Sequence, residues 1–223
     1  MVDATEPSRA QVFLASRNPR KLAEMERILS GFVPGVEVLG LDDVEHYDEP
    51  AETEPTFAGN ALIKARAAVA ATGLPSLADD SGLCVDALNQ MPGVLSARWS
   101  GLAKGDGNDV DRANNELLLA QLGDVPDERR GASFRCAVAF VRRDQAGRLV
   151  EHVELGEMPG RVIREMRGSG GFGYDVLFVA DGHEATSAEL PVEEKDAISH
   201  RGEALRRIAP VVAEALLSTR SPG

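Results

Sequence analysis

"GSGGFGYD", residues 168–175, is the stretch on which the choice of fold turns. Gly168, Gly170 and Gly173 fit the G-x-G-x-x-G spacing of dinucleotide-binding folds. In those folds the motif follows a strand and opens a helix, whose N-terminus meets the pyrophosphate. Here an apolar run follows instead, Val176-Leu177-Phe178-Val179, which reads as a buried strand. No helix is expected at Gly173, which argues against a Rossmann phosphate loop. The plain alternative is a hairpin turn, since glycine reaches positive φ at no steric cost. Yet two rings, Phe172 and Tyr174, and the acid Asp175 sit in or beside the glycines. A simple turn seldom holds that set, so the meaning of the stretch depends on the rest of the chain.

The chain has 223 residues, 43% of them hydrophobic, enough for one large domain or two lobes with a proper core. Its net charge is −12, from 24 basic and 36 acidic residues. Such a balance disfavours nucleic acid polymers and anionic membranes as partners. A small anion remains possible where a few basic residues converge and a metal helps. Cys84 and Cys136 form no CxxC pair, which points to a reducing compartment and away from a zinc site. No long apolar run or signal-peptide pattern is present, so a cytoplasmic protein is expected. One domain is expected over 10–219, with flexible termini at 1–9 and 220–223.

Val12 to Ala15 reads as a first strand. "SRNPRK" follows, then an apolar stripe at Leu22, Met25, Ile28, Leu29 and Phe32 that predicts a helix, with Asn18 as N-cap and Pro19 in the first helical position. A second helix is expected over "TFAGNALIKARAAVAATG", capped by Thr56 and stopped at Gly73. "PSLADDSGLCVDAL" reads as strand, tight turn, strand. A third helix spans roughly Asn108 to Leu122. "SFRCAVAFVRR" and "GRLVEHVEL" flank "DQAG" as an antiparallel hairpin. Arg161 to Glu165 and Val176 to Val179 are read as strands, and Ser199 to Leu217 as a helix containing Pro210. Helices, parallel connections and hairpins together predict an α/β fold with a mixed sheet.

Four stretches hold groups suited to chemistry. "SRNPRK", residues 16–21, joins a strand to a helix, so its amides and the helix N-terminus can hold an anion. Lys21 lies in the first turn, where it opposes the helix dipole and suits a phosphate; an ordinary capped helix is the bland reading. Asn60 and Lys64, four apart, share a helix face, which is otherwise simply a solvated one. "ADDSG", residues 78–82, places two carboxylates side by side, costly if buried unless a hard cation relieves them. Oxygen ligands without His or Cys suit Mg²⁺, and Glu52 or Glu54 can add another carboxylate. The alternative is an acidic turn capping backbone amides. "EEKDAISHRG", residues 193–202, gathers Lys195, His200 and Arg201, or is simply a polar helix start. Arg164, Arg167, Arg206 and Arg207 read as surface, and Arg98 and Trp99 as packing. No G-x-x-x-x-G-K-[ST] is present, which excludes a P-loop enzyme.

Taken in order, "SRNPRK", "TFAGNALIKA", "ADDSGL" and "VDAL" around Cys84, "PGVLSARWSG", "GSGGFGYD", "AEL" with "EEK", and "SHRG" with Ala204-Leu205 resemble the inosine triphosphate pyrophosphatases, the HAM1-like or XTP/dITP diphosphatase family. The resemblance runs from about Val12 to Leu217. It implies an elongated mixed β-sheet flanked by helices, with two lobes around a central cleft, and a homodimer. It implies Mg²⁺-dependent hydrolysis of purine nucleoside triphosphates (ITP, dITP, XTP) to the monophosphate and pyrophosphate, which clears deaminated nucleotides from the pool. By the same resemblance Ser16, Arg17, Asn18, Pro19, Arg20 and Lys21 correspond to the triphosphate loop, with Lys21 also a catalytic residue beside Asp80. Asp80 corresponds to the catalytic base and metal-associated acid, Glu52 to a metal ligand, Ser81 to a substrate contact and Lys64 to a phosphate contact. Phe172, Gly173, Tyr174, Asp175, Lys195, His200 and Arg201 correspond to the base-binding set.

The match has departures. Val176 stands where the family usually has Pro, Met158 where Trp often precedes "PG", and Gly59 where an acid is common. On this reading the glycines of 168–173 bring backbone and Phe172 close to a planar base, while the phosphates go to 16–21 and Lys64. Two other readings stand beside it: a nucleotide-binding regulator without turnover, and a house-cleaning pyrophosphatase for other modified nucleotides.

Overall fold

Ten residues of Ser76–Val85 form one unbroken strand, and the sheet is organised around it. The computed structural model describes residues 10–17, 19–101 and 107–218, with the side chains of all but 20, 107 and 108. The termini 1–9 and 220–223 and the cap Asn18 lie outside the described residues. The chain runs β1 (Gln11–Leu14), α1 (Pro19–Ser30), β2 (Glu37–Leu39), α2 (Phe57–Thr72), β3 (Ser76–Val85), β4 (Met91–Pro92) and α3 (Gly107–Gln121). It continues through β5 (Gly131–Arg143), β6 (Leu149–Val162), β7 (Phe178–Ala180), α4 (Val192–Ile198) and α5 (His200–Ser218). The strand order is β2-β1-β3-β5-β6-β7, with β4 on β3. β1 is parallel to β2 and β3, while β3–β4 and β6–β7 are antiparallel, so the sheet is mixed as expected.

The chain divides into two compact units, Met1–Asp79 with Ala137–Glu154 and Ala204–Gly223, and Asp80–Cys136 with Leu155–Glu203. Neither is a continuous stretch of sequence, because the chain passes from one to the other inside β3, β5, β6 and near the start of α5. In the first unit α2 lays Ala61, Ala65 and Val69 against Ala78 of β3 and Ala137, Ala139 and Val141 of β5. Small side chains on both surfaces let the helix lie close to the strands. α2 has the ends its sequence predicts: the Thr56 hydroxyl accepts from the Gly59 amide, and Gly73 closes the helix at φ 72°. In the second unit Leu118 of α3 and Leu122 just beyond its end pack with Leu83, Val85, Phe134, Met158 and Phe178. Met158 thus fills core volume in the place where the family often has Trp.

Several local expectations are corrected. "ADDSG" is not a turn but the middle of β3. Gly82 is there because the segment Gly93–Ser96 lies directly over it; a Cβ would collide with the Gly93 carbonyl and the Ser96 hydroxyl. That hydroxyl accepts from the Leu83 amide and so takes up a backbone group inside the strand (2.9 Å). Residues 163–165 leave the strand that begins as β6, and Val176 belongs to a single 3₁₀ turn, Gly173–Val176. Ile163 and Arg167 still donate to the Leu177 and Val176 carbonyls, but the turn breaks the ladder between them. The stripe of α1 buries Met25 and Leu29 but not Phe32, because the helix stops at Ser30 and Val33 turns inward instead.

Candidate active site

Residues assigned to phosphate chemistry lie in the first unit. The loop after β1 leads into α1 at Pro19, the first helical residue as expected. Ser16 is buried and its carbonyl accepts from the Leu41 amide. Arg17 is exposed and pairs with Glu49, with Asp42 at 3.8 Å. Asn18 and the side chain of Arg20 are not among the described groups. Lys21 reaches across to β3, its ammonium 2.8 Å from both carboxylate oxygens of Asp79. A lysine in the first turn opposes the helix dipole, and the buried Asp79 carboxylate offsets that cost.

Lys64, two turns into α2, holds Glu52 at 2.8 Å. Asn60 sits one turn earlier on the same face, fully buried, and its side-chain oxygen accepts from the Glu54 amide (2.9 Å). The shared face is therefore not a solvated one: Asn60 fixes the chain at 54, and Lys64 meets the carboxylate two residues before it. Gly59 has a local reason too, since a Cβ there would collide with the Glu54 side chain. An acid at 59, common in the family, has no room while Glu54 occupies that space.

The second unit holds the rest. Asp80 is 8% exposed. Alternation along β3 directs it away from Asp79, so the two carboxylates are not the side-by-side dyad their adjacency suggests. The Ser81 hydroxyl lies 3.3 Å from an Arg201 guanidinium nitrogen. Lys195 comes from α4, an element the sequence reading did not separate, and His200 and Arg201 form the first turn of α5. His200 stacks on Phe134, with centroids 5.1 Å apart and planes at 12°.

The 168–175 loop is held by its own polar groups. The Asp175 carboxylate, buried, accepts from the Phe172 amide at 2.9 Å and pairs with Lys195. Gly171, at φ 72°, lies against that ion pair, where any Cβ would strike Asp175 and Lys195. The 3₁₀ turn at Gly173 is too short to serve as a phosphate-binding helix, and the Gly173 amide is already taken by Asp111 (2.6 Å). Tyr174 turns inward, donating its hydroxyl to the Ser96 carbonyl at 2.9 Å. Burial pushes its phenol pKa up, and the Asp111 carboxylate adds to the shift. Phe172 is the opposite case: the residue is 61% exposed on a hydrogen-bonded backbone, with the Lys195 ammonium 5.6 Å from its ring centroid.

These groups lie within a stretch of sequence with clear relatives. The Ham1 family model matches residues 12–211. The chain belongs to the Ham1 family. A dITP/XTP pyrophosphatase of Nocardia farcinica is 59% identical over 205 residues, covering 92% of this chain and 95% of the relative. A dITP/XTP pyrophosphatase of Frankia alni is 58% identical over 208 residues, 93% of this chain and all of the relative. Among solved structures, a nucleoside-triphosphatase or dITP/XTP pyrophosphatase from Mycobacterium abscessus superimposes with a TM-score of 0.72 at 55% identity, covering 90% of this chain and 99% of that one. A HAM1 protein from Coxiella burnetii gives 0.79 at 40% identity, over 92% and 98%. The Ham1 fold is therefore shared along nearly the whole chain.

Residues that sequence reading missed include Asp79 as the partner of Lys21, Asn60 as a chain-ordering group, and Asp111 and Asn115 of α3. The last pair had one signal: they stand at i and i+4 on the face that continues as Leu118 and Leu122.

Proposed function

We propose that this Ham1-family chain hydrolyses ITP, dITP and XTP to the monophosphate and pyrophosphate and so removes deaminated purines from the nucleotide pool. The observation that carries the reading is Phe172. An apolar side chain left mostly exposed on a backbone held by hydrogen bonds contributes little to packing, and it offers a flat face to a base. Base–aromatic stacking is worth about 1–3 kcal/mol. Lys195 beside the ring is a donor without acceptor capacity, and Asp175 takes only part of its three hydrogens. A 6-oxo purine presents an acceptor to such a group, whereas adenine presents an amino donor. The relatives described above, dITP/XTP pyrophosphatases of Nocardia farcinica and Frankia alni, support the same choice.

The phosphates are assigned to Lys21, Lys64 and the amides of 16–21. Both ammonium groups rest on carboxylates, Asp79 and Glu52, and a polyphosphate offers them a more highly charged partner. Asp80 is proposed to take the proton of the attacking water, aimed at the α-phosphorus so that pyrophosphate leaves. Mg²⁺ is the proposed cofactor, with Asp80 and Glu52 as its carboxylates. The donor chemistry fits: these groups are hard carboxylate oxygens, the ligand type that Mg²⁺ takes. Among the described residues no cluster of three or more His, Cys, Asp or Glu is present. Mg²⁺ does not require one, since it is commonly held by one or two carboxylates plus substrate phosphates. When bound, such an ion neutralises phosphoryl charge and acidifies water.

A homodimer is proposed as well, supported by Leu149, Val150 and Leu155, exposed apolar side chains along β6. A cytoplasmic setting is supported by the two buried cysteines, Cys84 and Cys136, which are not paired in a disulfide. Among the described residues no helix is long and apolar enough to cross a membrane. The test is a substrate panel of ITP, dITP, XTP, GTP and ATP with Mg²⁺, each followed by pyrophosphate release. The 6-oxo deaminated purines are expected to turn over and ATP to lag by at least about tenfold, the effect of one donor–donor mismatch. Tight binding of ITP without turnover would replace the hydrolase by a nucleotide-binding regulator. Equal rates on ATP would remove the base-recognition argument.

A further inference from the structure

A largely exposed side chain such as Phe172, with the Lys195 ammonium 5.6 Å from its ring centroid, takes its position mainly from its backbone, so what fixes that backbone sets where the ring stands. Two bonds come from the loop itself: Phe172 N–H to Asp175, and Asp175 N–H to the Phe172 carbonyl. The next peptide is gripped from outside. The Gly173 N–H donates to the Asp111 carboxylate at 2.6 Å, and the Gly173 carbonyl accepts from the Asn115 side-chain amide at 2.9 Å. The second hydrogen of that amide goes to the Asp111 carbonyl, 2.7 Å away and one helical turn back. Both hydrogens of a fully buried side chain are thus spent on carbonyls, which fixes its orientation.

α3 is a firm base for this grip. Leu118 and Leu122 seat it in the core, and Asn114 accepts from the Ser100 amide at 2.7 Å. The buried stripe of the helix would be expected to stay apolar towards its N-terminal end. It changes instead to Asp111 and Asn115, at the point where the helix meets the loop. Gly173 has φ 61°, so the gripped peptide lies in a conformation that most residues avoid and that needs outside support.

We propose that Asp111 and Asn115 are positioning residues for base recognition: they hold both polar ends of Gly173 and thereby set where the Phe172 ring stands. This rests on the reading of Phe172 as the base platform. Neither residue touches the base on this account; each acts through the loop backbone.

The test compares Asp111→Ala, Asn115→Ala and the conservative Asp111→Asn with the wild type. Three quantities are read: hydrogen exchange of the Gly173 amide, KM and kcat for ITP, and inhibition by inorganic tripolyphosphate, which has no base. Both alanine variants are expected to speed exchange at Gly173 and to raise KM for ITP about tenfold, the effect of losing one hydrogen bond to a charged or buried partner. The expected kcat stays within about twofold, because the phosphate groups and Asp80 are untouched. Tripolyphosphate inhibition should not change, and Asp111→Asn, which keeps an acceptor oxygen, should recover most of the loss. An unchanged KM despite faster exchange would overturn the proposal. So would a parallel rise in KM and in the tripolyphosphate inhibition constant, which would mark a general loss of structure. A wild type inert towards ITP would instead overturn the function proposed above, and base recognition by this loop with it, while the exchange data would still report whether the grip exists.

Discussion

Replacing Phe172 by alanine separates stacking from packing in one variant. The residue is 61% exposed, so only about two-fifths of its surface is covered in the folded chain. A fully buried Phe→Ala change costs about 3–5 kcal/mol, which scales here to about 1–2 kcal/mol. For a chain of this size that lowers Tm by about 2–8 °C, leaving the enzyme folded at assay temperature. The loss against a purine is of another kind. Removing a base–aromatic stack forfeits about 1–3 kcal/mol, or roughly 5- to 150-fold in kcat/KM. Because every base has a π-face, ITP and XTP should fall by the same factor, with most of the change in KM. The assay is steady-state kinetics on both nucleotides beside a thermal melt. A variant that melts much earlier while its folded fraction keeps wild-type KM would refute the reasoning and return Phe172 to the core.

Other outcomes follow from the same structure. Asp80→Asn should lower turnover by at least about 10²- to 10⁴-fold, the range for loss of a positioned base, with an unchanged melting curve; near wild-type rates would remove Asp80 from the chemistry. Lys21→Met should destabilise by about 3 kcal/mol, since it removes the ammonium paired with the buried Asp79 carboxylate, and Lys21 itself is partly solvated. The double variant Lys21→Met with Asp79→Asn should regain that stability in denaturant titration without regaining activity; if activity returned, Lys21 would have only a structural role. On the first unit's surface, Arg66 makes two 2.7 Å bonds to Glu151 and holds its carboxyl below the ordinary value of 4.5. A lowered carboxyl pKa stabilises the fold above its unfolded value and loses that contribution as pH falls through the lowered one. Glu151→Gln should therefore flatten the loss of stability below about pH 4.5 by less than about 1 kcal/mol, the scale of a solvated pair. An unchanged acid limb would dismiss the pair as a contributor.

Where local chemistry decides the structure, the sequence was legible. Thr56 and Gly73 bound α2 because a hydroxyl cap and a left-handed glycine act over a few residues. The distances that misled were long ones. Gly82 resembled a turn because the segment that demands it, Gly93–Ser96, is a dozen residues away. Lys21 was read as a group for phosphate or as part of an ordinary capped helix, since nothing local reveals Asp79, 58 residues on. Arg130 drew no notice at all, yet it is buried and donates to the Leu122, Val162 and Ile163 carbonyls. Short polar α4 lacks the periodicity that exposes a helix, and Val176 belongs to a turn rather than the strand beside it. The order of the motifs named the family, but the partners of each charged group became visible only with the fold.

The central claim is that water attacks the α-phosphorus of a deaminated purine triphosphate. Hydrolysis of ITP in ¹⁸O-labelled water with Mg²⁺, followed by mass spectrometry of both products, tests it directly. The account predicts IMP bearing one ¹⁸O and pyrophosphate bearing none. Label in pyrophosphate would place the attack on the β-phosphorus, and IDP with labelled orthophosphate would place it on the γ-phosphorus; either result would contradict the assignment of Lys21 and Lys64 to the leaving group.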